Sequence, residues 1–173
     1  MTVAIGELAP EFELPETSGD RWSSTNGGAT VVVFTCNHCP YALAWHDRIA
    51  QVARDYSGRG VAFVAINSND AERYPRDSLE AMRQRVASED WPMPYLHDET
   101  QEVARAYGAQ VTPDVFVLDA QRRVRYRGAP DAAYDDPGQN AKWLRDALDA
   151  LLDGREPEPA ETQPVGCSIK WKP

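Results

Sequence analysis

Hydrophobic positions are spaced unevenly along the chain, and the spacing changes type from segment to segment. The run Thr30-Val-Val-Val-Phe34 is continuously apolar and β-branched, as in a strand buried on both faces. After it, Leu43 or Trp45, Ile49, Val52, Ala53 and Tyr56 recur at helical spacing, and Ser57-Gly58 with Gly60 stop the helix. Val61 to Ile66 is a second buried strand, and the helical crossover between the two predicts that they run parallel, as a βαβ unit. Residues 1–29 read as an extended lead-in with turn signals at Ser18-Gly19-Asp20 and Asn26-Gly27-Gly28. Ser78 opens a helix of good formers, and the acids of Asp98-Glu-Thr-Gln-Glu-Val103 suit the start of another that stops at Gly108. Val111 to Leu118 and Arg123 to Tyr126 flank the turn Asp119-Ala-Gln-Arg122, which predicts an antiparallel hairpin. Asn140 to Leu152 is a final amphipathic helix ended by Gly154. The charged, proline-rich segment Glu156 to Pro164 should run as an extended linker to the ending Val165 to Pro173. The expected division is a domain over 1–154 and a linker with a cysteine-bearing tail over 155–173.

Composition narrows the class. With 173 residues, 42% of them hydrophobic, the chain suffices for one substantial core. It contains no run of about 18 apolar residues, and MTVAIGELAPEFELP lacks the basic start and apolar core of a secretory signal, so a soluble, cytoplasmic protein is expected. A formal charge of −9 repels phosphate backbones and anionic lipid, which disfavours nucleic acid and membrane as partners. The alternating Arg122-Arg-Val-Arg-Tyr-Arg127 reads as the wet face of a hairpin strand.

Three cysteines are too few for a secreted disulfide framework. Cys36-Asn-His-Cys39 follows the first strand and precedes its helix, so the positive end of that helix can hold a thiolate, and Cys39 lies within disulfide reach of Cys36. Pro40 removes an N–H that the first turn would leave unpaired. His38 adds an imidazole beside the sulfurs. A zinc half-site or inert buried thiols are the alternatives, but no second Cys/His pair of matching spacing exists to complete a zinc site. The redox reading expects Cys36 to be the acidic sulfur and reachable from solvent.

Ala9-Pro10-x-Phe12-x-Leu14, the strand before Cys36-x-x-Cys39, Val111-Thr-Pro113, Ala65-Ile-Asn-Ser-Asn-Asp70 and the ending Gly166-Cys-Ser-Ile-Lys-Trp171 resemble redoxins of the peroxiredoxin-like (alkyl hydroperoxide reductase/thiol-specific antioxidant) subgroup over nearly the whole chain. The resemblance implies an α/β thioredoxin-like fold, a central mixed sheet flanked by helices, with an N-terminal extension and an extended C-terminal tail. It also implies Cys36 as attacking thiol, Cys39 as resolving thiol and Pro113 as a cis-proline beside them. A loop turned by such a bond would offer the Thr112 main chain to an extended peptide and exclude metal from the dithiol; without the likeness, a trans proline opening a strand would be the default.

Two departures stand out. Thr30 to Phe34 holds no buried acid of the kind thioredoxins place beneath the disulfide; Asp114, beside Pro113, or Asp98 is the alternative proton relay, with a capping or surface place the commoner reading of both. The peroxiredoxin site Pro-x-x-x-Thr-x-x-Cys is missed: Thr35 stands one residue before Cys36 and position 31 is valine.

The expected activity is therefore a thiol–disulfide oxidoreductase that needs no cofactor and no metal. It would act on protein or small-molecule thiols and disulfides and be reduced by a thioredoxin-type or low-molecular-weight thiol. Thiol peroxidase activity through Cys36 is one alternative, and a Cu(I) or zinc carrier using Cys36, Cys39 and Cys167 or a histidine is another. Cys167 can resolve, cap or simply dock with Ile169 and Trp171. His46 reads as a solvated helix position, His97 carries no reading, and Tyr41, Trp45 and Trp91 are candidates for an apolar rim, with core packing the commoner fate.

Overall fold

The computed structural model describes residues 1–24 and 27–173, so Asn26 of the second turn signal lies outside the described residues. Strands β1 (Glu13–Pro15) and β2 (Arg21–Ser23) form a small hairpin around the predicted Ser18-Gly19-Asp20 turn. Strand β3 (Ala29–Thr35) and strand β4 (Val61–Asn67) pair in parallel from Ala29↔Val61 to Thr35↔Asn67, joined by helix α1 (Pro40–Tyr56). This is the βαβ unit that the apolar runs predict.

Helix α2 (Leu79–Ser88) starts where expected, with Ser78 Oγ accepting the Ala81 N–H at 3.1 Å. Strand β5 (Tyr95–His97) extends the sheet beyond β4 in parallel; its three residues are too short to announce themselves in the sequence. Helix α3 (Glu102–Tyr107) begins later than its acidic lead-in suggests. Asp98 lies outside it and caps it, accepting from Val103 N and Ala104 N at 3.3 and 3.0 Å.

The predicted run Val111 to Leu118 is broken at Pro113 into β6 (Val111–Thr112) and β7 (Asp114–Leu118). Strand β7 pairs antiparallel with β3 and with β8 (Val124–Gly128), giving the order β5-β4-β3-β7-β8. Helix α4 (Lys142–Leu152) closes the domain, and β9 (Cys167–Ser168) pairs with β6.

Alternation along the central strands sorts the core into two halves. Val31, Val33, Phe63 and Ala65 pack with Trp45, Ile49, Val52 and Leu148, whereas Val32, Phe34, Val64 and Ile66 pack with Tyr107, Phe116 and Ile169. Both faces of β3 are thus covered, which is why it reads as an unbroken apolar run.

The proline-rich segment is not a free linker. Arg127 N–H donates to the Ala160 carbonyl at 3.1 Å and Thr162 N–H to the Arg127 carbonyl at 3.0 Å, while Thr162 Oγ1 sits 2.6 Å from the Tyr126 hydroxyl. The exposed edge of β8 supplies these partners, which composition alone does not reveal.

Candidate active site

Helix α1 begins at Pro40, which makes Cys39 its N-cap residue and leaves Cys36 in the loop before it. The helix terminus therefore acts first on Cys39: the Ala42 N–H donates to its sulfur. Hydrogen bonds from the Cys36 thiol, and from the thiol and N–H of Cys167, reach the same sulfur. Led by the Cys36 hydrogen bond and opposed by burial, they lower Cys39 from 9.0 to about 4. Cys36 is pushed up, first by serving as donor to Cys39 and then by burial, against the Thr112 hydroxyl and the His38 N–H, which favour its thiolate. The helix terminus therefore favours a thiolate at Cys39, where the sequence reading placed that field at Cys36, because α1 starts at Pro40. Packed together, the two titrate as a pair, so the protons belong to the pair and not to either sulfur alone.

The Thr112–Pro113 bond is cis, as the resemblance implies. Thr112 presents Oγ1 to Cys36 Sγ at 3.3 Å and its carbonyl oxygen to Cys39 Sγ at 3.3 Å. No foreign peptide can add to this edge while the chain's own tail fills it. In the β6–β9 pair Thr112 lies opposite Cys167, and Gly166 passes so close that a Cβ there would overlap the Thr112 carbonyl. Cys36 is 1% exposed and Cys39 0%, so the sulfurs are covered, contrary to the solvent access expected of Cys36. Cys167 is only partly buried, and burial followed by the hydrogen bond to Cys39 raises its thiol to about 11.

His38 stands beside the sulfurs, with a ring nitrogen within 4.8 Å of Cys36 Sγ. Its ring stacks on Tyr74 with centroids 5.7 Å apart, and Nδ1 lies 2.5 Å from Asp77 Oδ2, without the geometry of a straight hydrogen bond. Thr35 is buried at the end of β3, and the hydroxyl facing the Cys36 sulfur belongs to Thr112.

Sequence reasoning missed the polar shell that supports the loop. Buried Asp77 accepts from Asn37 N (2.7 Å), Asn67 Nδ2 (3.0 Å) and Asn69 Nδ2 (3.0 Å). Arg85 Nη1 donates to the Cys36 carbonyl and to Asn37 Oδ1, each at 3.1 Å, and the Tyr95 hydroxyl donates to Asn37 Oδ1 at 2.7 Å. The signal was the Asn67-Ser-Asn69 motif, quoted for the family likeness without a job assigned to it.

Other placements also differ from expectation. Asp114 is buried and paired with Arg127 at 3.0 Å; burial, opposed by that guanidinium, lifts its carboxyl from 3.8 to about 6. Arg127 is accordingly not on the wet face of its strand. His46 is buried against Trp91 rather than solvated, with ring centroids 4.5 Å apart. Trp45, by contrast, takes the core position named as the commoner fate and donates from Nε1 to Asp131 at 2.8 Å.

A mixed sheet, a cis-proline loop and a sulfur pair at a helix N-terminus define a thioredoxin-like oxidoreductase. A family model for AhpC/TSA matches residues 5–127, and the chain belongs to that family. It is 43% identical to an uncharacterized conserved protein from Geobacillus kaustophilus, with a TM-score of 0.95 over 99% of this chain and 94% of that one. It is 24% identical over 128 residues to the thiol-disulfide oxidoreductase ResA of Geobacillus thermodenitrificans, covering 71% of this chain and 68% of that protein. The fold is also that of a secreted Mycobacterium tuberculosis disulfide oxidoreductase, at 22% identity and a TM-score of 0.64 over 81% of this chain and 96% of that one.

Proposed function

We propose that the chain is a thiol–disulfide oxidoreductase in which Cys36 and Cys39 alternate between dithiol and disulfide. Each oxidation releases two electrons and two protons to a disulfide, which leaves as two thiols. One observation carries this reading: the Cys36 and Cys39 sulfurs lie together at the N-terminus of α1 and both face Thr112 of the cis-proline loop, at 3.3 Å each. A thiolate so held is a competent nucleophile at neutral pH and a good leaving group. Thr112 and Pro113 shape the loop, and His38 contributes through its N–H to Cys36. The substrates are small thiols and disulfides or exposed protein cysteines, with a thioredoxin-type or low-molecular-weight thiol as reductant. The filled β6 edge argues against extended peptides.

The test is turnover of a small disulfide such as hydroxyethyl disulfide with glutathione as reductant, together with peptide mapping after diamide oxidation. The reading expects turnover, loss of turnover in Cys39→Ala, and a disulfide within the chain. Three free thiols after oxidation and no turnover would refute it.

Two other readings have specific support. Membership of the AhpC/TSA family favours a peroxidase, tested by peroxide consumption with and without thioredoxin. Cys36, His38 and Asp77 each bring one potential ligand atom within 4.8 Å of the others, which favours a metal carrier and is tested by metal content of the reduced protein. A cytoplasmic setting completes the proposal and is tested by fractionation.

A further inference from the structure

The tail strand is built in, not draped. Ile169 is 3% exposed in the core half that contains Phe34 and Phe116. Its N–H donates to the Gln110 carbonyl at 3.0 Å, and the Lys170 backbone is gripped by Asp70 N (2.8 Å), Asn69 Oδ1 (2.9 Å) and Gln101 Nε2 (2.9 Å). Arg105 lies over the Trp171 ring at 4.5 Å. A lid that had to leave in every cycle would break all of these. What the anchoring achieves is to fix one thiol, that of Cys167, opposite Thr112 in the β6–β9 pair and packed against the Cys36 and Cys39 cluster. Three sulfurs are thus gathered in one cluster, and of the three Cys167 alone is more than marginally exposed.

Resting on the dithiol reading above, we propose that Cys167 is a third redox cysteine, the port through which the buried pair exchanges its disulfide with outside thiols. In the oxidised protein the Cys167 thiolate attacks Cys39 of the Cys36–Cys39 disulfide; the Cys39–Cys167 bond forms, the Cys36–Cys39 bond breaks, and Cys36 leaves as a thiolate that takes up the proton Cys167 lost. An external thiolate then attacks Cys167, forming a mixed disulfide with it and expelling Cys39, and a second external thiol completes the reduction by releasing the mixed disulfide as a free disulfide. The balance is two external thiols oxidised for one protein disulfide reduced. Cys39 caps α1, so its thiolate leaves toward the positive end of the helix. Once Cys39 is in a disulfide it can neither accept from Cys167 nor repel its charge, so two of the influences that raise Cys167 disappear in the state where it must react.

The test oxidises three full-length proteins with diamide and maps their disulfides by mass spectrometry, with circular dichroism to verify folding. The proposal expects a Cys39–Cys167 linkage in Cys36→Ser and a Cys36–Cys39 linkage in Cys167→Ser. It also expects reduction of the oxidised Cys167→Ser protein by glutathione to be at least about tenfold slower than wild type, since the remaining disulfide is buried. Free thiols at 39 and 167 in folded Cys36→Ser, or wild-type reduction rates in Cys167→Ser, would overturn the relay while leaving the dithiol reading intact. No disulfide in Cys167→Ser would instead refute the dithiol reading. Should Cys36→Ser fail to fold, mapping of partly oxidised wild type decides, because both linkages must then appear.

Discussion

Replacing Ile169 with alanine tests whether the docked tail closes the sulfur site. The side chain is 3% exposed, so three buried carbons are lost at about 0.8 kcal/mol each, and an unfilled cavity brings the cost to roughly 2–4 kcal/mol. All of that cost falls on the docked state. At about 1.4 kcal/mol per factor of ten, the undocked population should rise roughly 30-fold to several-hundred-fold. The assay is alkylation of Cys36 and Cys39 in native buffer, under conditions where reclosing outpaces labelling so that the rate reports the open population. Repeating it at low urea separates local from global opening, since undocking exposes little surface and should show a shallow denaturant slope. An increase below about fivefold, or a slope equal to that of global unfolding, would refute the idea that the tail alone covers the sulfurs.

Further outcomes follow from the supporting shell. Asp77→Asn keeps the shape but removes a carboxylate within 4.8 Å of the Cys36 sulfur, a charge that adds to the hydrogen bond and burial in raising that thiol. At an effective dielectric near 20 the second thiol ionisation should fall by roughly 2 pH units, read from ultraviolet thiolate absorbance. Asp114→Ala strands the Arg127 guanidinium and should cost about 3–5 kcal/mol in urea unfolding; a loss below about 1 kcal/mol would show that the pair is not buried in solution. With its folded value near 6 and its ordinary value 3.8, Asp114 keeps its proton in the folded chain after the unfolded chain has lost it, so this group lowers stability as pH rises between those values. His46, lowered by burial below 6.5, acts in the opposite sense: its contribution is present above 6.5 and is lost as pH falls, and His46→Phe should flatten that part of the stability profile.

Much of the fold was legible because its central strands are buried on both faces and so carry continuous β-branched runs, while α1 stripes a single face. The short elements were not: β5 and β9 are two or three residues long, and pairing with distant segments alone defines them. The Cys36–Cys39 pair was visible from spacing, but which sulfur the helix terminus favours depended on whether the helix starts at Cys36 or at Pro40, a shift smaller than sequence periodicity resolves. Asp77 could not be found at all, since its partners come from the loop after β3 (Asn37), the last residue of β4 (Asn67) and the bend beyond it (Asn69), which only the β3–β4 pairing brings together. Arg127 misled because alternation predicts the side of a strand and says nothing of the extended segment lying beyond its edge.

Equilibrating the protein in glutathione redox buffers of graded potential, quenching with acid and counting free thiols by mass, tests the central claim most directly. The account predicts one sharp two-electron transition, moving tenfold in oxidised-to-reduced ratio for about every 30 mV, with the disulfide always including Cys39. Three alkylatable thiols at every potential, or oxidation that yields only glutathione adducts and no bond within the chain, would contradict it.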